Sequence, residues 1–415
     1  MAEYVIIGNG VAAVGCIEGI RSVDKASGIT VISEEAHPVY CRPLISYYLE
    51  GKTTLDKMNY RKADFYEENG CSVIYGKKAV KIDTDCKKVI LDDKTSLPYT
   101  SVCVATGSSP FVPSFNGLET VKDRFSFMTI EDTLSLEKAL KKDSRVLIVG
   151  AGLIGLKCAE GISRRVASIT VCDLAPRVLS SILDDECASM MQECLEKNGI
   201  RFMLSDTVAK FNGNSATMKS GAVVDFDILV MAVGVRANIS LVKEFGGDVN
   251  RGIIVDEHMR TSTSDIYAAG DCTEGMDTSF GERRVLAILP NAYMQGHTSG
   301  VNMAGGNEVF DKAIPMNSIG FFGLHAITAG SYFGEKDGGE MYEEKGEGTL
   351  KRLFIKDGVL TGYILIGQVD RAGIYTSLIR EKIPLDSINF EILKKNPTLF
   401  AYSQNQRRQM LGGVV

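Results

Sequence analysis

The sequence predicts an α/β protein in which two parallel-sheet domains are followed by a small α+β C-terminal domain. Three observations predict it: a strand–glycine–helix segment near the N-terminus, a second copy in the middle of the chain, and a hairpin pattern near its end. At 415 residues the chain is too long for one core, so two or three domains are expected. A hydrophobic fraction of 45% and a charged fraction of 24% are typical of a globular protein.

The repeated segment predicts two βαβ units. The first copy starts at Tyr4 as an apolar strand, enters a glycine-rich turn and a helical stretch, and continues into a second strand at 29–33. The second copy starts at Arg145 and continues through a helical stretch at 159–166 into a strand at 168–172. A strand, a glycine turn, a helix and a second strand in this order are typical of Rossmann-like dinucleotide-binding domains.

The turn residues of both copies predict phosphate binding. The first glycine makes a tight turn, the second admits a pyrophosphate, and the following helix presents N–H groups and its positive dipole end. An acidic residue after the second strand would bind the adenosine ribose and repel a 2′-phosphate. Asp173 therefore favours NADH over NADPH, although Arg177 lies nearby. The candidates are Gly8, Gly10, Ala13, Glu34 and the adjacent Glu35 in the first copy, and Gly150, Gly152, Gly155 and Asp173 in the second.

Composition excludes several classes of function. No two of the ten cysteines are three residues apart, so neither a CxxC motif nor a metal site is expected. The net charge of −6 argues against nucleic acid as a partner. There is no run of eighteen apolar residues and no basic, apolar leader after Met1, so we expect a cytoplasmic protein without a membrane span. From Lys351 onward, ten Lys or Arg against five Asp or Glu give +5, which leaves −11 for the first 350 residues.

Further segments carry a resemblance to a known family. Residues 104–110, 227–238 and 261–271 are similar, in the same order, to motifs of the FAD-dependent pyridine nucleotide-disulfide oxidoreductase superfamily. Residues 38–46 and 289–296 resemble the two segments that contact the flavin ring in its rubredoxin reductase and nitrite reductase flavoprotein branch. The resemblance covers nearly the whole chain and implies a glutathione reductase-like FAD/NAD fold.

The C-terminal pattern at 350–367 predicts a β-hairpin that turns at Asp357 and Gly358. The same segment resembles the small C-terminal domain of rubredoxin reductases. The resemblance therefore implies a discontinuous FAD-binding domain at 1–110 and 245–315, an NAD-binding domain at 111–244, and a C-terminal domain at 316–415.

The resemblance also implies non-covalent FAD as cofactor and NADH as substrate. Asp271 would bond the ribityl chain, and the helix start at 289–296 would stabilise the anionic reduced flavin. For FAD the implied residues are Gly8, Gly10, Ala13, Glu34, Arg42, Pro43, Ala79, Thr106, Gly107, Gly270, Asp271, Asn291 and Ala292. For NADH they are Gly150, Gly152, Ile154, Gly155, Asp173, Val233 and Gly234.

Two departures from the family concern the flavin. Relatives carry a redox cysteine pair or a single cysteine beside the ring, but that position falls on Pro43, and the nearest thiol, Cys41, lies two residues earlier. Cys41 is a candidate redox residue, with a packed side chain as the alternative, and disulfide reduction is not expected. Lys157 stands where relatives commonly have a glutamate, and Tyr47 where many have a lysine. Lys157 is either a solvated helix residue or a cation near the flavin and nicotinamide.

The leading hypothesis is an FAD-dependent NADH oxidoreductase whose acceptor is a small acidic iron–sulfur carrier of rubredoxin or ferredoxin type, or a partner iron–sulfur subunit. The cationic C-terminal part would steer such a carrier. One alternative is an NADH oxidase or peroxidase that reduces O2 or H2O2, and another is a flavoprotein subunit or NADH-binding module of a larger electron-transfer complex. A monomer or homodimer is expected. The steering candidates are Lys394, Lys395, Arg407 and Arg408.

Overall fold

The computed structural model describes the backbone of residues 3–331 and 338–411. The predicted C-terminal domain, 316–415, therefore includes two segments, 332–337 and 412–415, that lie outside the described residues. Within the described part of the chain, no helix has the length and apolar character that crossing a bilayer requires.

The helices and strands follow in chain order. The helices are α1 (Val11–Val23), α2 (Ile45–Leu49), α3 (Phe65–Glu68), α4 (Ile130–Ala139), α5 (Leu153–Ile162), α6 (Asp185–Lys197), α7 (Ser240–Glu244), α8 (Leu289–Met303), α9 (Ala372–Arg380), α10 (Phe390–Lys395) and α11 (Gln404–Leu411). The strands are β1 (Glu3–Ile7), β2 (Gly28–Ser33), β3 (Cys71–Tyr75), β4 (Ala79–Asp83), β5 (Lys88–Leu91), β6 (Ser96–Pro98), β7 (Ser101–Val104), β8 (Ser108–Pro110), β9 (Arg124–Phe125), β10 (Arg145–Val149), β11 (Ser168–Asp173), β12 (Ile200–Leu204), β13 (Val208–Asn212), β14 (Ser215–Met218), β15 (Val223–Asp225), β16 (Ile228–Met231), β17 (Val235–Ala237), β18 (Ile253–Ile254), β19 (Ile266–Ala268), β20 (Thr273–Asp277), β21 (Glu282–Arg284), β22 (Met316–Phe321), β23 (Leu324–Gly330), β24 (Glu340–Gly346), β25 (Thr349–Lys356) and β26 (Val359–Ile366).

Two parallel sheets confirm the predicted repeat. Their strand orders are β19-β7-β1-β2-β3 and β12-β11-β10-β16-β9. β1 pairs with β2 and β7, and β10 pairs in the same way with β11 and β16. Both central strands are apolar and buried, as strands covered on both faces must be. The helical stretch predicted at 159–166 differs from α5, which starts earlier and ends at Ile162, where the Ser163 hydroxyl donates to the carbonyl of Glu160.

The two connections that leave the parallel sheets pair with each other. β8 follows β7 of the first sheet, β17 follows β16 of the second sheet, and the two form an antiparallel ladder. Asn238 stabilises this ladder through two hydrogen bonds to Thr106. The side-chain Nδ2 of Asn238 donates to the backbone carbonyl of Thr106 (2.8 Å), and the backbone carbonyl of Asn238 accepts from the Thr106 hydroxyl (2.9 Å). These are the two segments whose similarity to connecting motifs the sequence indicated.

Contacts divide the chain into two compact units. One contains both parallel sheets and comprises residues up to Ser180 together with Leu195–Met276 and Arg283–Asp311. The other comprises Ser181–Cys194, Asp277–Glu282 and the chain from Lys312 onward. The domain boundaries near 110, 245 and 315 stay predictions.

The second unit is built on the antiparallel sheet β22-β23-β26-β25-β24. Its β25–β26 hairpin turns at the predicted pair, where Asp357 and Gly358 both have positive φ angles of 51° and 72°. Positive φ at both central residues matches the right-handed twist of the strands, which is why an Asp-Gly pair is favoured there. The Arg352 side chain lies within this unit and pairs with the carboxylates of Asp184 (2.5 Å) and Glu343 (2.6 Å).

Helices α1 and α8 of the first unit pack with their backbones in contact. A side chain at Gly15 or Gly19 of α1 would overlap the carbonyl oxygen of a residue in α8. In the other direction, a side chain at Gly296 or Gly300 would overlap a carbonyl oxygen in α1. Only residues without a Cβ permit this approach, so four glycines on two helices form one interface, which we call the glycine interface.

Gly300→Ala should destabilise the first unit by about 1–3 kcal/mol, because its methyl group would overlap the Cys16 carbonyl and overpacking forces backbone shifts. Thermal unfolding should begin several degrees below that of the parent protein. The matched control is Gly373→Ala in α9, where a Cβ meets no atom within 4 Å and alanine favours the helix. Equal melting temperatures for the two variants would contradict the role of the glycine interface.

Candidate functional site

The two glycine turns have the same geometry. Gly8 and Gly150 have positive φ angles of 112° and 118°, and a Cβ on either would overlap a carbonyl oxygen just after the neighbouring strand, that of Ala105 after β7 or that of Ala232 after β16. Gly10 and Gly152, by contrast, have open space where a Cβ would be. Each turn therefore holds the chain against its own sheet and leaves its outer side accessible to a ligand, as a pyrophosphate-binding turn requires.

A cavity of about 670 Å³ opens at the first of these turns. The N-terminal end of α1, where Val11 and Ala12 line the cavity, has no side-chain cap, so its N–H groups are available to an anion. The predicted FAD residues that line the cavity are Gly8, Gly10, Glu34, Arg42, Ala79, Thr106, Gly107, Gly270, Asp271 and Ala292. Those outside its lining are Ala13 and Asn291, which are fully buried, and Pro43.

Asp271 is a largely buried acid that lines the cavity. Its carboxylate accepts a hydrogen bond from the Ser108 hydroxyl at 3.3 Å. Burial raises the pKa of the Asp271 carboxyl, and the Ser108 hydrogen bond and the charge of Arg42 offset part of that shift. A buried carboxyl that lines a dinucleotide-sized cavity is suited to hydrogen-bond ligand hydroxyl groups.

Arg42 and Tyr40 shape the wall opposite α1. Arg42 pairs with Glu35 at 2.7 Å and donates to the carbonyl of Met128 at 2.9 Å. The Tyr40 hydroxyl donates to the same Glu35 carboxylate at 2.6 Å. Glu35 thus stabilises the loop that contains Tyr40 and Arg42, which we call the FAD loop. The Glu34 side chain, by contrast, is 68% exposed and pairs with Lys78. Arg42 was predicted from the motif and Glu35 was a candidate acid of the first copy, but the pairing of Arg42 with Glu35 and its hydrogen bond to Met128 were not predicted.

Three more lining residues, His37, Glu131 and Asn238, were missed. His37 and Glu131 both line the cavity, and the His37 Nε2 lies 2.6 Å from a Glu131 carboxylate oxygen. Asn238, which fastens the two connections, lines it as well. Glu131 could not have been predicted from the sequence, because it is far from His37 in the chain and contacts it only in the folded structure. Asn238 could have been predicted, because it lies within the segment 227–238 that resembles a family motif.

Cys41 lies outside the cavity lining. Its amide donates to the carbonyl of Met58 at 2.8 Å, and its carbonyl accepts from the amide of Leu44 at 2.9 Å. Burial raises the pKa of the Cys41 thiol. A neutral thiol is a poor nucleophile, so the side chain lacks the usual features of a reactive cysteine.

The second turn presents the predicted NADH residues in the equivalent place. Gly150, Gly152, Ile154 and Gly155 form the turn and the start of α5, and Asp173 ends β11. One Asp173 carboxylate oxygen accepts from the amide of Ala151 (2.7 Å), and the other from Ala175 (2.8 Å). The acid is therefore oriented by the backbone of the turn that it follows. Val233 and Gly234 follow β16, the strand that pairs with β10, and the preceding Ala232 contacts the turn at Gly150.

Lys157 is paired and partly exposed, with 21% of its side chain accessible. It lies 2.5 Å from a carboxylate oxygen of Glu160, whose side chain is only 5% exposed. Its ammonium group also lies 5.1 Å from the centre of the Tyr47 ring. Lys157 is therefore a partly buried, ion-paired helix residue, and a position near the flavin and nicotinamide stays a prediction.

The family model for pyridine nucleotide-disulphide oxidoreductases matches residues 2–296. The chain belongs to the pyridine nucleotide-disulphide oxidoreductase family. Members of this family are flavoproteins that bind FAD and use NADH, and this member is accordingly an FAD- and NADH-dependent oxidoreductase.

Several relatives of this oxidoreductase are similar over most of the chain. It is 31% identical to the NADH-dependent phenylglyoxylate dehydrogenase subunit epsilon of Aromatoleum evansii, with 92% of each chain covered. It is 32% identical to the NADH oxidase of Methanocaldococcus jannaschii, over 88% of this chain and 87% of that one. It is also 32% identical to the assimilatory nitrate reductase electron transfer subunit of Bacillus subtilis over 92% of this chain, but it spans only 49% of that relative.

The fold of the oxidoreductase is also that of solved structures. The putidaredoxin reductase in a covalent complex with putidaredoxin superposes with a TM-score of 0.86 at 21% identity, covering 96% of this chain and 97% of that one. At this identity the likeness concerns the fold.

The residues of the first cavity fit FAD. The uncapped start of α1 faces the position of a pyrophosphate, and the buried Asp271 carboxyl faces the cavity where ligand hydroxyl groups would lie. The open space at Gly10 admits a phosphate close to the backbone, which any side chain there would hinder.

Asp271→Ala should weaken FAD binding about tenfold to a hundredfold, since the loss of one hydrogen bond to a charged group costs about 1–3 kcal/mol. FAD retained after gel filtration, and FAD fluorescence on titrating the apoprotein, measure the change. Asp143→Ala, an exposed acid before β10, is the matched control and should retain the parental affinity. Equal affinity of the two variants would contradict the assignment.

Cys41→Ser should leave NADH-dependent turnover and FAD content unchanged, because the thiol lies outside the cavity and its pKa is raised. Steady-state reduction of an artificial dye measures the turnover. A loss of turnover without loss of FAD would instead identify Cys41 as a redox group.

Proposed function

We propose that this flavoprotein accepts hydride from NADH and delivers electrons to an iron–sulfur acceptor, either a small acidic carrier of rubredoxin or ferredoxin type or a partner iron–sulfur subunit. The observation that carries the proposal is the lining of the FAD cavity, which among the described residues includes no cysteine. Without a thiol among these residues, the reduced flavin would pass its electrons directly to the acceptor.

The residues of the chain would bind and orient the two dinucleotides. The start of α1 and Asp271 would hold FAD, and the α5 turn with Asp173 would hold NADH. When bound, FAD takes up a hydride and releases electrons singly or in pairs. Helix α8 begins at Leu289, which lines the cavity, so its positive dipole end would stabilise negative charge there.

The relatives support an electron-input role. One is a subunit of an NADH-dependent dehydrogenase, and another is an electron transfer subunit of a nitrate reductase. Both names describe one component of a larger redox system, which agrees with an acceptor outside this chain.

On its own we expect the protein to be a monomer or homodimer.

The predicted steering residues differ in their availability. Lys394 pairs with Glu391 at 2.5 Å, and Arg407 stacks on the 80% exposed ring of Phe400. Lys395 and Arg408 are exposed. We therefore assign the steering of an acidic carrier to Lys395 and Arg408, since exposed charges act mainly on the association rate.

A second candidate function is an NADH oxidase, because the relative from Methanocaldococcus jannaschii carries that name at 32% identity. The raised pKa of the Cys41 thiol counts against it in the form that requires a reactive cysteine beside the flavin. Reaction of the reduced protein with air separates the two candidates.

Anaerobic titration with NADH should bleach the flavin absorbance, and oxidised rubredoxin or ferredoxin should restore it much faster than air does. Raising the salt concentration should slow carrier reduction but not dye reduction, because screening acts on the steering charges. Lys395→Ala/Arg408→Ala should weaken the salt dependence, whereas Lys87→Ala, an exposed lysine on the first unit, should not. Fast reoxidation by air alone would favour the oxidase, and salt-independent carrier reduction would exclude the steering role.

A further inference from the structure

The turn that contains Asp271 is closed by hydrogen bonds of its own residues. The amide of Thr273 donates to the carbonyl of Gly270 at 2.9 Å, which makes residues 270–273 a hydrogen-bonded β-turn. The Thr273 hydroxyl lies 2.8 Å from the same carbonyl oxygen. Asp271 therefore belongs to a compact turn, and the direction of its carboxyl group depends on how that turn is anchored.

Gln295 of α8 anchors the turn from one side. Its Oε1 accepts a hydrogen bond from the amide of Gly270 at 2.9 Å and lies 3.1 Å from the Thr273 hydroxyl. A backbone amide can only donate, so the oxygen of the Gln295 side chain, and not its nitrogen, must face Gly270. Because Gln295 is only 4% exposed, water cannot readily replace these contacts.

Strand β7 anchors the same turn from the other side. The amide of Ala269 donates to the carbonyl of Val104 at 3.0 Å, and the thiol of Cys272 lies 3.3 Å from that carbonyl oxygen. The turn is thus held between β7 and α8. Gln295 makes its hydrogen bonds to the helix, so a change at this side chain should alter the position of the turn relative to α8.

Helix α8 and Asp271 both belong to the FAD cavity. Leu289 and Ala292, in the first turn of the helix, line the cavity, and so does Asp271. Gln295 follows Ala292 by three residues, which is about 4.5 Å along the helix axis. A fixed link between the turn and the helix therefore sets the distance between two parts of one binding site, the carboxyl group of Asp271 and the start of α8.

We propose that Gln295 is a positioning residue for FAD binding. By holding Gly270 and Thr273 it directs the Asp271 carboxyl group at the cofactor and fixes its distance from the start of α8. The inference rests on the assignment of Asp271 to the FAD site. It goes beyond the proposed function, since it involves neither NADH nor the acceptor.

Two substitutions on the same helix separate positioning from general stability. Gln295→Met keeps the length of the side chain but removes the acceptor of the Gly270 amide. Thr298→Val is the matched control, because Thr298 is 2% exposed, lies outside the cavity lining and donates to the Glu308 carboxylate at 2.7 Å. Each variant loses a hydrogen bond of α8, so both should lower the temperature at which the apoprotein unfolds.

FAD affinity should distinguish the two variants. Titration of each apoprotein with FAD, followed by flavin fluorescence, gives the dissociation constant. We expect Gln295→Met to weaken binding about tenfold, the order expected for one impaired hydrogen bond to a charged group, and Thr298→Val to bind like the parent. An equal loss of affinity in the two variants would show general loosening of α8 and overturn the proposal.

A double-mutant cycle tests whether Gln295 acts through Asp271. In an Asp271→Ala background, Gln295→Met should weaken FAD binding by less than about twofold, because the group that it positions is already absent. An equal fold-loss with and without Asp271 would overturn the proposal. So would parental affinity in Asp271→Ala itself. The cycle needs no NADH, so it stands whether or not NADH bleaches the flavin, which is the test of the proposed function.

The visible circular dichroism of bound FAD is the second readout, since it responds to the surroundings of the flavin ring. It should change in FAD-saturated Gln295→Met and stay parental in Thr298→Val, and a parental spectrum in Gln295→Met would count against the positioning role. If Gln295→Met does not fold, Thr273→Val replaces it, because this variant removes the hydroxyl beside the Gln295 oxygen and keeps the shape of the side chain. It should show a smaller loss of FAD affinity with the same dependence on Asp271, and unchanged affinity would overturn the proposal.

Discussion

The glycine interface between α1 and α8 sets the distance on which the FAD cavity depends. Gly15 and Gly19 on one helix face Gly296 and Gly300 on the other, and their backbones touch. Each helix begins at the cavity, α1 at the phosphate turn and α8 at Leu289. Two helix N-termini are thereby held side by side with their positive dipole ends directed at one ligand site.

That arrangement has an electrostatic cost which the ligand removes. Two parallel helix dipoles with uncapped N-termini repel each other, and neither Gly10 nor Ile288 supplies a side-chain cap. A dianionic pyrophosphate near α1, and negative charge on the ring near α8, would satisfy those N–H groups. The geometry that looks unfavourable without a ligand thus favours binding of an anionic dinucleotide.

Local signals in the sequence were sufficient to predict much of the fold. The paired glycine turns, the strands that precede them and the Asp357–Gly358 hairpin each depend on residues close together in the chain, where backbone conformation determines residue type. The cavity residues Thr106, Gly107, Gly270 and Asp271 were found through family motifs. Neither route required knowledge of long-range contacts.

The remaining residues depend on contacts between distant segments. Met128 and Glu131 belong to the part of the chain that includes the second parallel sheet, and they contact residues of the FAD loop and its neighbour His37. The Met128 contact is made by a backbone carbonyl, which every residue type has, so the sequence cannot indicate it. The pairing of Lys157 with Glu160 was open to prediction, because three residues separate them on one helix. Relatives commonly have a glutamate at the position of Lys157, and in this chain Glu160 supplies a carboxylate three residues later on the same helix.

The loop that contains Cys41 is held beside the cavity by side chains other than its cysteine. Cys41 lies between Tyr40 and Arg42, and both of these neighbours bind Glu35, so the loop is held by hydroxyl and guanidinium groups. The position of the family's single cysteine is occupied by Pro43, in the first turn of a short 3-10 helix where proline is favoured. A loop organised in this way keeps the backbone of Tyr40 and Arg42 beside the cavity through contacts with Glu35, and the Cys41 side chain takes no part in those contacts.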